Sequence, residues 1–277
     1  MPSITNSRSP KHAPELSGIN KSDPALVSLT FAGKLLTTPQ PQADPGYPSF
    51  CTDLSEKQLY YICKRCLDLV LALCAVILLL PLLLLIGLLI KLDSSGPIFF
   101  THERVGAKRA RVRGEVTWAI ENFRMHKFRS MVQNADSGAH EAYIRDFVQG
   151  RVQPDKAKGG KFKLTNDPRV TRVGRILRRT SLDELPQLFN VLKGQMSLVG
   201  PRPVPPYEVA CYRRGDHKRL TATPGITGLW QVHGRCQVSF EEMIHMDLEY
   251  IQKASLWIDL RILFLTIPAV FHGKGAE

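Results

Sequence analysis

Residues Leu69–Ile90 read LVLALCAVILLLPLLLLIGLLI, a run of 22 residues without a charge. At ~1.5 Å per residue a straight helix of this length covers about 33 Å, enough to cross a hydrocarbon core of roughly 30 Å. Pro81 sits near its middle, where it cannot donate to the carbonyl of Ile77 and its ring presses on that turn, so a kink is expected. Lys57, Lys64 and Arg65 precede the run, and Lys91, Arg104, Lys108 and Arg109 follow it, so basic residues give no inside-outside asymmetry. Two geometries satisfy these residues. The helix spans, or it enters, bends at Pro81 and returns to the same face, provided protein or water satisfies the freed carbonyl.

Either geometry fixes a membrane-associated body, and the rest of the chain is read around it. Upstream, residues 1–50 hold eight prolines and seven serines with no sustained period. That composition predicts a disordered tail over 1–58, in which ALVSLTFAGKLL (Ala25–Leu36) is the one stretch suited to a short docking element. The six cysteines are scattered, and Cys63 and Cys66 form a lone CxxC without a second pair or an HxxxH partner, so they read as small helix residues and not a zinc or redox site. Thirty-seven Lys and Arg against 25 Asp and Glu give a net charge of +12, which implies an anionic partner: nucleic acid, an anionic lipid surface or a phosphorylated substrate.

Downstream, GPIFFTHERVG (Gly96–Gly106) and FRMHKFRSM (Phe123–Met131) are β-prone runs that suggest a hairpin with an extended loop, and Asn134–Val148 reads as a helix. KAKGGK (Lys156–Lys161) lacks P-loop spacing and reads as a linker. Arg169, Arg172, Arg175 and Arg178 recur every third residue beside Val170, Val173, Ile176 and Leu177, the pattern of a cationic amphipathic helix suited to anionic headgroups or simply of a solvated charged face. Ser255–Phe271 is apolar but interrupted by Asp259 and Arg261, which predicts an interfacial or core helix and not a second span.

RTSLDELPQL (Arg179–Leu188) carries adjacent acids in this basic chain. Ser181 and Glu184 have the spacing of a capping box, yet a helix capped at Ser181 would put Pro186 at its fifth position, where the missing N–H and the ring both hurt. A cap at Asp183 makes Pro186 the third helical residue, whose N–H is an orphan anyway, and puts both acids at a helix mouth that favours bound phosphate.

KFRSM, NDPRVTRVGRILRRTSLDELPQL, MSLVGPRP and PGITGLWQVHGR, in that order behind a proline-interrupted apolar helix, resemble the bacterial sugar transferases that start exopolysaccharide and O-antigen synthesis, the monotopic polyprenol-phosphate phosphoglycosyl transferases. The resemblance covers roughly residues 61–277. It implies an α+β, mainly helical monotopic membrane protein. A Pro-broken re-entrant helix would occupy residues 59–95, and a cytosolic catalytic domain with amphipathic interfacial helices and a small β-hairpin residues 96–277. Some relatives place Ser before the helix-breaking proline; here Leu80 stands there, so that hydroxyl is absent. ARVRGEVTWAIEN, within 107–122, looks longer than the family pattern.

The implied reaction takes place at the cytoplasmic face of the bacterial inner membrane. A UDP-hexose gives its sugar phosphate to undecaprenyl phosphate and UMP is released. The family's Asp-Glu pair falls on Asp183, as nucleophile, and Glu184, as a Mg²⁺ ligand with Asp183 beside it. Lys127 and Arg129 in KFRSM, Arg178 five residues before the nucleophile, and Arg202 in PRP are candidate phosphate ligands; Gln231 and Arg235 are weaker ones, and Trp230 reads as core. Membrane lipids are expected partners, nucleic acid is not, and a homodimer is left open. Two rival readings fit less well. A membrane-tethered nucleic-acid-binding or scaffold protein leaves the acid pair without a task. A glycoside hydrolase needs carboxyl groups about 5 Å or more apart on converging elements, which neighbours in one turn do not supply.

Overall fold

The computed structural model describes residues 57–112, 115–132, 138–152, 167–233 and 238–271. The anticipated tail up to Glu56, the KAKGGK loop and Arg235 lie outside the described residues. The architecture is mainly helical with two small sheets. Helix α1 (Gln58–Asp93) contains the whole apolar run and is the one described helix long and apolar enough to cross a membrane. It runs as an uninterrupted helix through Pro81, so the proline is absorbed within the helix and does not interrupt it as secondary structure.

Its buried residues, Lys64, Asp68, Ala72, Leu83, Ile86, Gly87 and Ile90, recur at helical spacing and form one stripe along nearly its full length. Ala72 packs with Phe123, Met125, Leu188 and Val191, and farther along Leu83, Ile86 and Ile90 pack with Phe128 and Leu177. Leu71, Leu73, Ile77, Leu78, Leu84, Leu85, Leu88 and Leu92 face outward. An apolar face this extensive marks a lipid- or partner-facing surface.

Strands β1 (Phe99–Val112) and β2 (Glu115–Phe128) pair antiparallel from Phe99↔Phe128 to Val112↔Glu115. The residues that looked like an extended loop are therefore strand. They lengthen the ladder, and Ala107 and Trp118 bury themselves against Tyr61 of α1. Helix α2 (Gly138–Val148) follows, then α3 (Arg172–Thr180), a 3₁₀ turn (Leu182–Glu184), α4 (Gln187–Leu192) and β3 (Ser197–Val199). After these come α5 (Pro206–Val209), a 3₁₀ turn (Asp216–Leu220), β4 (Gly225–Thr227), α6 (Leu229–His233), α7 (Phe240–Lys253) and α8 (Leu256–Phe271). Of the arginine stripe, Arg169 lies before α3 and only Arg172, Arg175 and Arg178 are helical. Arg172, Arg175, Arg179 and Ile176 are exposed on that helix while Gly174 and Leu177 are buried.

Helix α3 starts because the Thr171 hydroxyl accepts from Gly174 N at 3.0 Å and Asp93 Oδ2 accepts from Val173 N at 3.1 Å. Gly174 permits a backbone contact: a Cβ there would lie 2.1 Å from the carbonyl oxygen of Ser130. Gly174→Ala is expected to push α3 off the KFRSM segment and to destabilise the fold by about 1–3 kcal/mol, read as a fall in the thermal midpoint. The parallel pair β3–β4 depends on a similar approach, since a Cβ on Gly225 would lie 2.1 Å from Gly200 N. That contact joins the GPRP and PGITG segments.

Helix α8 bridges back to the start of α1. Asp259, fully buried, accepts from Lys64 Nζ (3.0 Å), Tyr60 OH (2.9 Å) and Tyr250 OH (2.7 Å). Trp257, Phe264 and Ile267 of α8 are exposed, as an interfacial helix would present them. Trp230 lies in the core with Phe147, Val238, Phe240 and Met243, as its composition suggested.

Candidate active site

The acid pair lies on the 3₁₀ turn between α3 and α4, not on the mouth of α4, whose N-cap is Pro186. The anticipated cap at Asp183 is thereby corrected: Pro186, with φ −63°, serves as the cap itself, and the acids precede it by one turn. The Ser181–Glu184 capping box is absent too. Ser181 makes no side-chain cap hydrogen bond and adopts the left-handed conformation, φ 58°, with its N–H donating to Arg178 O at 3.4 Å. It is the sole described non-glycine residue with positive φ, a conformation that costs a β-carbon-bearing residue of order 1–3 kcal/mol. This sharp corner turns Asp183 and Glu184 away from the α3 axis.

Glu184 meets two cations from distant segments. Lys127 Nζ, near the end of β2, donates to Glu184 Oε1 at 2.7 Å, and Arg202 Nη2 lies 3.4 Å from the same oxygen. Asp183 is buried, and the guanidinium of Arg178 is near enough to feel both Asp183 and Asp167. Burial lowers the Arg178 pKa and those carboxylates oppose the shift. The structure thus brings Lys127, Arg178 and Arg202 to the acid pair. Arg129 is committed elsewhere: its Nη2 donates to Ile90 O (3.3 Å), Ser94 O (2.6 Å) and Ser94 Oγ (2.9 Å), clamping the end of α1. Gln231 donates to Ile226 O at 3.1 Å within its own loop.

Four residues that the sequence does not mark as site candidates join this region. Arg104 donates to Pro203 O at 3.3 Å beside Arg202, and burial followed by the Arg202 charge brings its guanidinium down to about 10. Its Nε is buried without a hydrogen-bond partner among the described residues. His102 contacts Arg104 at 3.1 Å, and burial, then Arg104 and Lys127, push its pKa down to about 4. His140 is lowered by burial, then by Arg104, Arg169 and Arg178. Arg169 forks onto Asp167 (Nε–Oδ1 2.8 Å, Nη2–Oδ2 2.6 Å) and holds that carboxyl below the usual range. Arg104 was within reach of the sequence, two residues before Gly106 in RVG; the histidines carried no signal.

Five cations and the neutral His102, grouped around three carboxylates, make a site suited to a ligand of several negative charges. No group of three or more metal-ligating side chains occurs among the described residues. Two adjacent carboxylates suit an ion that keeps water and takes substrate phosphate oxygens, as Mg²⁺ does, better than one needing an all-protein cage. His102 gives the site an acid limit. The folded pKa of His102 lies below its unfolded value of about 6.5, so its contribution to stability is full above that value and is lost as pH falls toward 4. His102→Gln is expected to flatten the stability-versus-pH curve between those limits, measured by denaturant unfolding.

Residues 59–273 match the family model described as bacterial sugar transferase. The chain belongs to that family. A UDP-galactose-lipid carrier transferase of Erwinia amylovora is 45% identical over 213 residues, covering 77% of this chain and 41% of the relative. The exopolysaccharide production protein ExoY of Rhizobium meliloti is 40% identical over 215 residues, covering 77% of this chain and 87% of the relative. A UDP-glucose:undecaprenyl-phosphate glucose-1-phosphate transferase of Escherichia coli is 38% identical over 241 residues, covering 84% and 45%. This sugar transferase therefore spans less than half the length of the first and third relatives and most of the ExoY length. The matched region contains the acid pair, all five cations around it and all of α1 except its first residue, Gln58.

Proposed function

We propose that this family member transfers hexose 1-phosphate from a UDP-sugar to undecaprenyl phosphate, releasing UMP, as the first step of exopolysaccharide or O-antigen synthesis. The observation that carries the reading is the convergence of Lys127 and Arg202 on Glu184 beside the buried Asp183. The names of the Erwinia and Escherichia relatives supply the substrate class. In the proposed route a carboxylate oxygen of Asp183 attacks the sugar-bearing phosphorus. The bond from that phosphorus to the bridging oxygen breaks, and UMP leaves with the bridging oxygen. A phosphate oxygen of undecaprenyl phosphate then attacks the same phosphorus, releasing the Asp183 carboxylate and forming undecaprenyl diphosphate hexose.

Lys127, Arg178 and Arg202, with Arg104 behind Arg202, reduce the repulsion between an anionic nucleophile and an anionic phosphoryl group. Glu184, with Asp183, would hold Mg²⁺, which when bound supplies charge neutralisation at the phosphoryl oxygens. The test is intact mass of the purified chain incubated with a panel of UDP-sugars and Mg²⁺ but no lipid acceptor. A gain of one hexose phosphate identifies the intermediate and the sugar together; no gain with any sugar, alongside turnover once acceptor is added, sinks the covalent route.

The proposal places α1 in the cytoplasmic leaflet as a re-entrant helix. What supports this is that both flanks of the apolar run fasten to one body. Before it, Lys64 pairs with Asp259 and Arg65 forks onto the carbonyls of Val191 and Leu192 at 2.6 and 3.0 Å. After it, Asp93 caps α3 and Arg129 grips Ser94. A straight span would carry one flank to the far side of the bilayer, away from these partners. Labelling of cysteines introduced at Leu59 and Leu92 from one face only is the expected result; labelling from opposite faces refutes re-entry.

A further inference from the structure

A cavity of about 280 Å³ lies between the start of α1, the second half of β1, the start of β3, the segment before β4 and the end of α7, and it shares no residue with the acid pair. Lys64, Arg65, Lys108 and Arg109 line it against a single carboxylate, Asp68, whose Oδ1 already accepts from Leu198 N at 3.0 Å. Lys64 is neutralised by Asp259 and Lys108 pairs with Glu121. The two guanidiniums are not neutralised in this way. Arg65 spends its N–H groups on the backbone carbonyls of Val191 and Leu192, which carry no charge, and Arg109 has no carboxylate within ion-pair distance among the described residues.

Arg109 stacks on Tyr61 with its central carbon 4.5 Å from the ring centroid, and Tyr61 is itself held edge-on to Trp118 at 5.7 Å. Stacking uses the face of a guanidinium and leaves its in-plane donors for an anion. Its Nε is buried without a hydrogen-bond partner among the described residues. We infer that this cavity is a second anion site that takes a phosphate ester, with Arg109 as its main donor and the Arg65 charge behind it. Tyr60, Tyr61, Lys64, Arg65 and Asp68 directly precede Leu69, so a lipid headgroup is one source of that phosphate and a soluble phosphate the other. The lipid source rests on the interfacial placement proposed above; the soluble source does not.

The test uses the full chain in detergent micelles, as wild type, Arg109→Gln and Asp183→Asn. Native mass spectrometry compares retention of phosphatidylglycerol with phosphatidylcholine, and a titration with inorganic phosphate is followed by the thermal midpoint. Selective retention of phosphatidylglycerol that falls roughly tenfold in Arg109→Gln and persists in Asp183→Asn supports the site with a lipid source. A rise in midpoint with inorganic phosphate that is lost in Arg109→Gln and kept in Asp183→Asn supports it with a soluble source. The inference is overturned if neither signal depends on Arg109, or if both vanish in Asp183→Asn, which would assign them to the acid pair. UMP release by Arg109→Gln at saturating UDP-sugar is expected to match wild type and shows that the variant is folded. Failure of the proposed transfer reaction would leave these binding results unchanged, so the two readings fail separately.

Discussion

Asp183→Asn is expected to reduce UMP release by about 10⁴-fold or more and to leave no hexose-phosphate adduct on the chain. The amide has nearly the shape of the carboxylate, so a position that is only 8% exposed keeps its packing. What is lost is the negative charge and the oxygen nucleophile. Glu184→Gln is a useful contrast, because it spares the nucleophile while releasing Lys127 and Arg202 from the oxygen they share. Its adduct should still form, more slowly. Near-normal turnover in Asp183→Asn would mean that the acceptor phosphate attacks directly, and the convergence of cations on this turn would then serve substrate binding alone.

The largest stability effect is expected at Arg219. This side chain is 1% exposed, 2.6 Å from Asp247 Oδ2, and donates to Tyr212 OH at 2.8 Å, while Tyr212 OH donates to Glu208 Oε1 at 2.7 Å. Arg219→Met strands Asp247 in the core, and removal of one partner of a buried pair costs about 3–5 kcal/mol. Burial already raises Asp247 to about 6 even though Arg219 opposes the shift. A carboxyl raised in the folded state stabilises fully below its unfolded value of about 3.9 and loses that contribution as pH rises through the folded one. The deficit of Arg219→Met, whose Asp247 lacks the opposing cation, should therefore be larger at pH 8 than at pH 5 by urea unfolding. Arg219→Met with Asp247→Leu should recover part of it. An equal deficit at both pH values would mean that Asp247 is not the stranded group.

Much of the candidate site is legible in the sequence. The acids, Lys127 and Arg202 stand out in the sequence because each lies in a short motif, and the structure brings these side chains together. Arg104, His102 and His140 were missed because their proximity to the acids depends on hairpin pairing and on where α2 lands, which are non-local facts. The long hairpin was partly visible: Val116, Trp118 and Ile120 alternate as strand residues do, yet the basic residues around them read as loop. Pro81 marks an expected kink. Its ring and missing N–H argue for a break, and the helix continues through it regardless. Arg129 shared a motif with Lys127 and so was assigned the same task, whereas a contact 35 residues back along the chain gives it another.

That contact also couples two length scales. The residue that grips the end of the apolar helix stands two positions after the lysine that grips Glu184, on one stiff strand end, with Arg129 N also held by Ile98 O at 2.9 Å. A bilayer that thins, thickens or bends against α1 would load this junction, and the load would reach the lysine that holds Glu184 through two residues of backbone.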